Sequence, residues 1–439
     1  MRAQLDLDLM ESTIASLPNG VAARVVEENI HVSKSTFLNG LASRVHRWFR
    51  LTPSFGPELV HEMIEKLGVE RDETILDPFA GAGTTLIEAK LEGRKSFGFE
   101  VNPLLHFVNE ACLDWSIEPN VLRAQLLRLE QACQSARGRS LESLAADGLD
   151  VPPIHNPHRW WRDDVLAHLL TLRAEIDATS DHALKRLLRL AFAGVLVPDL
   201  TNVTLGKLQL HFIDRSEDDI DVWQTYSKHV LQIAEDLDVL RASTDKGEAR
   251  CYHQDSTKLA SFAGPDRADA VITSPPYPNR YSYVWNTRPH LFMLGLMSSG
   301  KEASDLDKKT IGGTWGTATS ELAKGVFPPL NFAVADVVQP VTEAIRKQDN
   351  LMANYVMHYF NRLTSQVLEM DRLMTSRARI AYVVGNSWIK DVYVETDVML
   401  GEILERLELG YRTDEVHRFR RRHSGKRLYE SIVYAAKKR

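Results

Sequence analysis

Two short stretches of this 439-residue chain carry residue types that can do chemistry together. One is Ser274-Pro275-Pro276-Tyr277, which follows the apolar run from Ala268 to Ile272. That run reads as a short buried strand, and the two prolines after it end the sheet ladder and hold the chain in an extended turn. A hydroxyl, a backbone carbonyl and an aromatic ring at the carboxyl end of a strand suit a flat ligand with an amino group. The hydroxyl and carbonyl accept its hydrogens while the ring stacks on its plane. Pro-Pro-Tyr alone reads better as a strand-ending turn with a surface tyrosine.

The second stretch, Asp77-Pro78-Phe79-Ala80-Gly81-Ala82-Gly83-Thr84-Thr85, changes that weighting. It follows the strand-like Thr74-Ile75-Leu76 and opens an amphipathic helix through Leu86, Ile87 and Ala89. Strand, glycine turn and helix make a nucleotide-binding crevice. Leu86 stands where a dinucleotide fingerprint has its third glycine, and no Gly-Lys-Ser/Thr follows, so this is neither that fingerprint nor a P-loop. Glu100 ends the next strand, Ser96-Phe97-Gly98-Phe99, at the distance where a carboxylate meets a ribose diol. Glycines for close approach and a ribose acid, without phosphate machinery, suit a nucleoside cofactor such as S-adenosylmethionine.

Together the stretches resemble the amino-group DNA methyltransferases (N4-cytosine or N6-adenine) of the Ser-Pro-Pro-Tyr type, in pieces from about Arg44 to the C-terminus. The resemblance implies that Asp77, Pro78, Phe79, Gly81, Gly83, Thr84 and Thr85 bind S-adenosylmethionine, with Glu100, Val101 and Asn102 after the second strand. Asp255 and Ser256 fall where the family contacts adenine; an Asp that starts a turn is the competing reading. Ser274, Pro275, Pro276 and Tyr277 are then the catalytic, base-holding residues, with Tyr277 stacked on an extruded base. Ser before Pro-Pro-Tyr accompanies cytosine-N4 in this family, whereas an acid or Asn accompanies adenine-N6, so cytosine-N4 ranks first. Carbon-5 methylation is disfavoured because none of Cys112, Cys133 and Cys251 follows a proline. The alternatives are an adenine-N6 enzyme, an RNA base amino methyltransferase and an inactive specificity subunit. Double-stranded DNA is the expected partner, and a cognate restriction endonuclease is a candidate one.

The elements that must position these residues predict an α/β protein, a Rossmann-like doubly wound sheet of the class I methyltransferase kind. It carries a C-terminal antiparallel hairpin and an inserted α-helical region. The expected division is 1–113 (first half, cofactor motifs), 114–250 (helical insertion) and 251–439 (second half, base motif). Pro57 suits the first turn of a helix stopped by Gly68, and Phe55 ahead of it is either a cofactor contact or a core residue. In the insertion, apolar stripes such as Leu184, Leu188, Phe192 and Leu196 mark helices without strand signals. The segment His155-Asn156-Pro157-His158-Arg159-Trp160-Trp161-Arg162 interleaves basic and aromatic residues. It suits a nucleic-acid backbone or an unstacked base, or equally a Trp-anchored helix start.

Beyond Tyr277, Asn279 and Arg280 open an aromatic-rich stretch suited to DNA contact. Residues 298–331, rich in Lys, Asp, Gly and Thr, read as a long recognition loop or a plain lid. From Val416 onward nine Lys or Arg face one Glu. Arg418, Arg420, Arg421, Arg422 and Lys426 are the phosphate candidates there, with a merely solvated hairpin as the bland reading.

Composition bounds these readings. The net charge of −6 excludes indiscriminate coating of nucleic acid, so DNA contacts need local basic patches. No apolar run approaches a membrane span, and Met1 to Asn19 do not read as a secretory signal. Three scattered cysteines point to a reducing compartment and no zinc or other metal site. A cytoplasmic, nucleoid-associated location is expected.

Overall fold

A computed structural model describes residues 11–16, 22–28, 40, 42–51, 54–135, 138–206, 209–264, 267–313, 317–325, 328–423 and 426–438. Among them one large sheet is built from β1 (Glu11–Ser16), β2 (Ala22–Glu28), β3 (Thr74–Asp77), β4 (Lys95–Glu100) and β5 (Ala249–His253). It continues with β6 (Ala268–Thr273), β7 (Met374–Gly385), β8 (Tyr411–His423) and β9 (Lys426–Lys437). Their spatial order is β1-β2-β8-β9-β7-β6-β3-β4-β5. The run β7-β6-β3-β4-β5 is parallel throughout, and β9 is antiparallel to both β7 and β8. This is the doubly wound class I methyltransferase sheet with its C-terminal hairpin. The chain reverses direction across the sheet between β3 and β6, which opens the crevice where such folds bind ligands.

Strands β3 and β6 are apolar at their centres because helices cover both faces. Ile75 and Leu76 of β3 and Ala270, Val271 and Ile272 of β6 are fully buried. On one face lies α1 (Pro57–Leu67), with Pro57 in its first turn and Gly68 in the left-handed conformation (φ 59°) closing it. Phe55 sits in the apolar cluster under this helix, with Leu59, Met63 and Ile272. It is a core residue there.

The other elements are α2 (Thr84–Leu91), α3 (Pro103–Cys112), α4 (Pro119–Ser135), α5 (Asp163–Asp177), α6 (His182–Leu196) and α7 (Val222–Ala242). They are followed by α8 (Tyr283–Met293), α9 (Gly300–Lys309), α10 (Ala335–Arg346), α11 (Asn350–Asp371) and α12 (Thr396–Arg406). Helices α4 to α7 do not form a core of their own. Their leucines merge with Leu86, Leu104, Val108 and Leu291 of α2, α3 and α8 into one cluster. Buried Asp236 of α7 pins them to the segment before the sheet, accepting from Trp48 Nε1 at 2.8 Å and Arg47 Nε at 3.0 Å. A small hairpin, Val203–Leu205 with Leu210–Phe212, interrupts the helices, so the expectation of an insertion without strands is corrected.

Two further expectations change. Residues 298–331 are not one long loop: α9 and the helix Thr317–Lys324 lie within them. The apolar stripe of α9 is only Ala303 and Leu306, too thin to stand out in a charged sequence. Ahead of 32, where periodicity is weak, β2 runs parallel to β8 and β1 pairs with β2, extending the sheet by two strands at one edge. No helix among the described residues is long and apolar enough to cross a membrane.

Candidate active site

β3, β4, β5 and β6 run parallel, so their carboxyl ends share one edge. Asp77, Glu100, Asp255 and Ser274 follow or end those strands and are thereby gathered from distant parts of the sequence. At the end of β3, Asp77 is buried, and its Oδ1 accepts from the Thr273 hydroxyl at 2.6 Å and the Phe79 N–H at 3.0 Å. Burial pushes its carboxyl up to about 6 against those hydrogen bonds. Asp77 thus ties the cofactor turn to the last residue before Ser274. The Thr85 hydroxyl makes a second tie, donating to the Ile272 carbonyl at 3.2 Å. Pro78 and Thr84 are buried, and Phe79 is half-buried against the core.

Gly81 and Gly83 adopt left-handed φ values of 54° and 88°, which favour glycine. A Cβ at Gly83 would lie 2.4 Å from Asn109 Oδ1. Asn109 in turn donates to the Gly81 carbonyl at 2.7 Å, bracing the turn from α3. The first turn of α2 has no side-chain cap, leaving backbone donors at the crevice. Glu100 receives the Gly81 N–H at 2.9 Å and the Asn102 N–H at 2.8 Å, one on each oxygen. Burial raises its carboxyl to about 7, with the nearby Asp77 charge adding to the rise. Asn102 caps α3 at the Leu104 N–H (3.0 Å) and donates to Thr287 of α8 at 3.2 Å. Val101 accepts from His253 Nε2 at 3.1 Å through its carbonyl. Asp255 is engaged within the protein: its Oδ1 takes the Thr257 N–H and hydroxyl, and its Oδ2 lies 3.3 Å from Arg362 Nη2. Ser256 beside it is buried.

A cradle that only glycines leave open, uncapped helix donors and a desolvated carboxylate at a strand end fit a nucleoside cofactor. Asp77 through Thr85, Glu100 and Asn102 are the residues that could hold one.

The Ser274 hydroxyl is half-buried and has no partner among the described residues. The turn behind it is held by α11, where the Tyr359 hydroxyl donates to the Pro276 carbonyl at 2.8 Å. The Tyr355 hydroxyl, one turn earlier, accepts the Arg280 N–H at 3.1 Å. Pro275 is buried. The edge of the Tyr277 ring lies against Gly385 at the end of β7, so close that a Cβ there would meet Cδ2 at 2.4 Å. The Tyr277 hydroxyl donates to Glu430 Oε1 of β9 at 2.5 Å. Sequence reasoning missed Thr273, Asn109, Glu430, Gly385, Tyr355 and Tyr359. The available signals were an acid inside the apolar run of β9 and an amide inside the apolar stripe of α3.

Asn279 and Arg280 are exposed on the loop after the motif, Arg280 with φ 61°. Arg418 corrects the expectation of a phosphate contact. It is largely buried between α12 and the hairpin, its Nε 2.8 Å from Asp397 and its Nη2 3.1 Å from Glu395. The side chains of Arg420, Arg421, Arg422 and Lys426 lie outside the described residues. Burial raises the thiols of Cys112, Cys133 and Cys251, Cys133 to about 11, so none is poised as a thiolate nucleophile.

Fold and site together define a class I methyltransferase. The DNA methylase family profile (N6_N4_Mtase) matches residues 28–107. The type II methyltransferase M.MvaI of Kocuria varians is 23% identical over 413 residues, covering 89% of this chain and 87% of its own. M.BsoBI of Geobacillus stearothermophilus is 24% identical over 418 residues, covering 86% and 81%. Among solved structures, the rRNA methyltransferase aviRa of Streptomyces viridochromogenes aligns over 91% of this chain and 92% of its own, with a TM-score of 0.31 and 11% identity. TrmN of Thermus thermophilus aligns over 89% of this chain and 52% of its own, with a TM-score of 0.32. The fold assignment rests on the strand order, not on these scores. These matches support the N4/N6 amino-group DNA methyltransferase family, and that family and the fold imply S-adenosylmethionine as the methyl donor.

Proposed function

We propose that this chain methylates the exocyclic N4 amino group of cytosine in double-stranded DNA, at a base turned out of the helix. The observation that carries the reading is the unpartnered Ser274 hydroxyl, tied through Thr273 and Asp77 to the turn that would hold the cofactor. When bound, S-adenosylmethionine supplies an electrophilic methyl group on sulfur.

The amino nitrogen of cytosine is conjugated with its ring and is a weak nucleophile. Ser274 and a neighbouring carbonyl of the rigid Ser-Pro turn accept its hydrogens and restore lone-pair density on nitrogen, stabilising the charge that develops in transfer. Tyr277, fixed by Glu430 and Gly385, stacks on the base and sets its plane. No covalent intermediate is required, in keeping with the raised thiols.

In the organisation we propose, residues 1–113 and 251–439 form the catalytic unit and 114–250 is an insertion that braces it. The type II designation of the relatives supports a restriction-modification setting, in which a cognate endonuclease is the companion.

Nucleoside mass spectrometry tests the choice of base. Purified protein is incubated with DNA, RNA and methyl-labelled cofactor. Labelled N4-methylcytosine from DNA is the expected product. N6-methyladenine would keep the enzyme and overturn the Ser274 argument, and label in RNA alone would overturn the DNA reading.

A further inference from the structure

The basic and aromatic stretch 155–162 has no part in the site described above, yet it borders a cavity of about 550 Å3. Pro152, Pro153 and His155 form one wall. Arg288 and Phe292 of α8 form another, with exposed Gly300 at the start of α9 between them and solvent. Arg288, like neighbouring Arg159 over the Phe212 ring, rests on an aromatic face. Its guanidinium carbon lies 3.4 Å from the centre of the Trp285 ring and 5.7 Å from that of Trp160. No carboxylate or hydrogen-bond acceptor among the described residues reaches it, and its Nε is buried without a partner.

By contrast, Arg162, Arg186 and Arg189 nearby in the insertion all pair with aspartates. Two indole faces attract a cation without neutralising it. Burial accordingly lowers this guanidinium to about 10. A cation withdrawn from water without an acid keeps its full appetite for an anion arriving from outside. Glu302, on the first turn of α9, does not serve that role: it is turned onto Ser298, accepting that N–H at 3.0 Å, and does not line the cavity.

Helix α8 starts just after Tyr277. Its Thr287 accepts from Asn102 on the cofactor side, while Arg288 and Phe292, one turn apart, face the cavity. The cavity is larger than a free phosphate needs and is in the range of pockets that hold a nucleotide-sized group. We infer that it is a DNA-backbone site, in which Arg288 takes a phosphodiester oxygen and the Pro152-Pro153 wall packs against the attached sugar. This rests on the reading of DNA as substrate.

Fluorescence anisotropy of a labelled mixed-sequence duplex, titrated at several salt concentrations with S-adenosylhomocysteine present, tests it. Two variants are used. Arg288→Gln removes the charge. Gly300→Glu places an acid beside the cavity where a Cβ meets nothing within 4 Å, and where the start of a helix tolerates negative charge. Each is expected to weaken duplex binding about tenfold, and Arg288→Gln to make the plot of log K against log salt shallower by about 0.9. Cofactor affinity should stay unchanged, and Arg288→Lys should recover part of the loss. Duplex binding and salt slope equal to wild type in both variants overturn the inference alone. Loss confined to an RNA of the same sequence also overturns it. A wild-type protein that binds no duplex overturns the DNA reading and this inference with it.

Discussion

The two turns at the crevice are held in different ways. The glycine turn is braced mainly from close by: Glu100 grips Gly81 from 19 residues away and Asn109 from 28. The Ser274 turn is braced from far off, by Tyr359 at 83 residues and Glu430 at 153. Two long-range bonds join them, Asp77 to Thr273 across 196 residues and Thr85 to Ile272 across 187. On the proposed reading the cofactor half is thus a local device, and the base half exists only once the second half of the sheet has closed around it.

If that is so, the largest effect on cofactor binding should come from within the local device. Gly83→Ala forces a side chain into the left-handed region and onto Asn109. We expect it to destabilise the fold by about 1–3 kcal/mol and to weaken cofactor binding about 100-fold. Calorimetric titration and thermal melting read both. Unchanged affinity would show that the cradle is not where the cofactor sits.

Glu430→Gln should act on the other half alone. A roughly tenfold fall in kcat is expected, with cofactor affinity within about twofold. Tyr277→Phe should give a similar or larger fall, and the double variant little more than Tyr277→Phe alone, since Gln weakens the same hydrogen bond that Phe deletes. Additive losses would mean that Glu430 acts by another route.

A smaller effect distinguishes the halves by pH. Glu100 titrates near 7 in the folded chain because burial disfavours its charge. Its protonation therefore stabilises the unliganded fold fully below the ordinary carboxylate range, and that contribution is lost as pH rises toward 7. Cofactor binding runs the opposite way, since an ionised Glu100 is the better acceptor for a ribose diol. Affinity should rise several-fold between about pH 6 and 8, and Glu100→Gln should flatten the profile.

The smallest effect on activity is expected at Arg418. Arg418→Gln leaves buried Asp397 without its cation and should lower stability by about 3 kcal/mol or more, while duplex binding stays near wild type. Weakened DNA binding in a folded variant would return Arg418 to the interface.

The same contrast explains what was legible in the sequence. Asp77 to Thr85 and Ser274 to Tyr277 are each contiguous stretches, Glu100 ends the strand after the first, and the strand, turn and helix signals around them are strong. The alternation of strands and helices and the closing hairpin followed from periodicity. Glu430, Tyr359 and Gly385 could not be read, because their roles arise from contacts across the sheet that leave no local pattern. Arg418 misled because a run of positive charge says nothing about which member turns inward toward an acid. The thin stripe of α9 hid regular structure for a simpler reason: Ala303 and Leu306 are its only buried apolar residues.

The separation of the two halves is tested most directly on Ser274→Ala. Cofactor dissociation constant and single-turnover methyl transfer would be measured on the same preparation. The account predicts an unchanged constant and a rate lower by about 100-fold or more, the loss typical of one transition-state hydrogen-bonding group. Equal loss of binding and rate, or no loss of either, would contradict it.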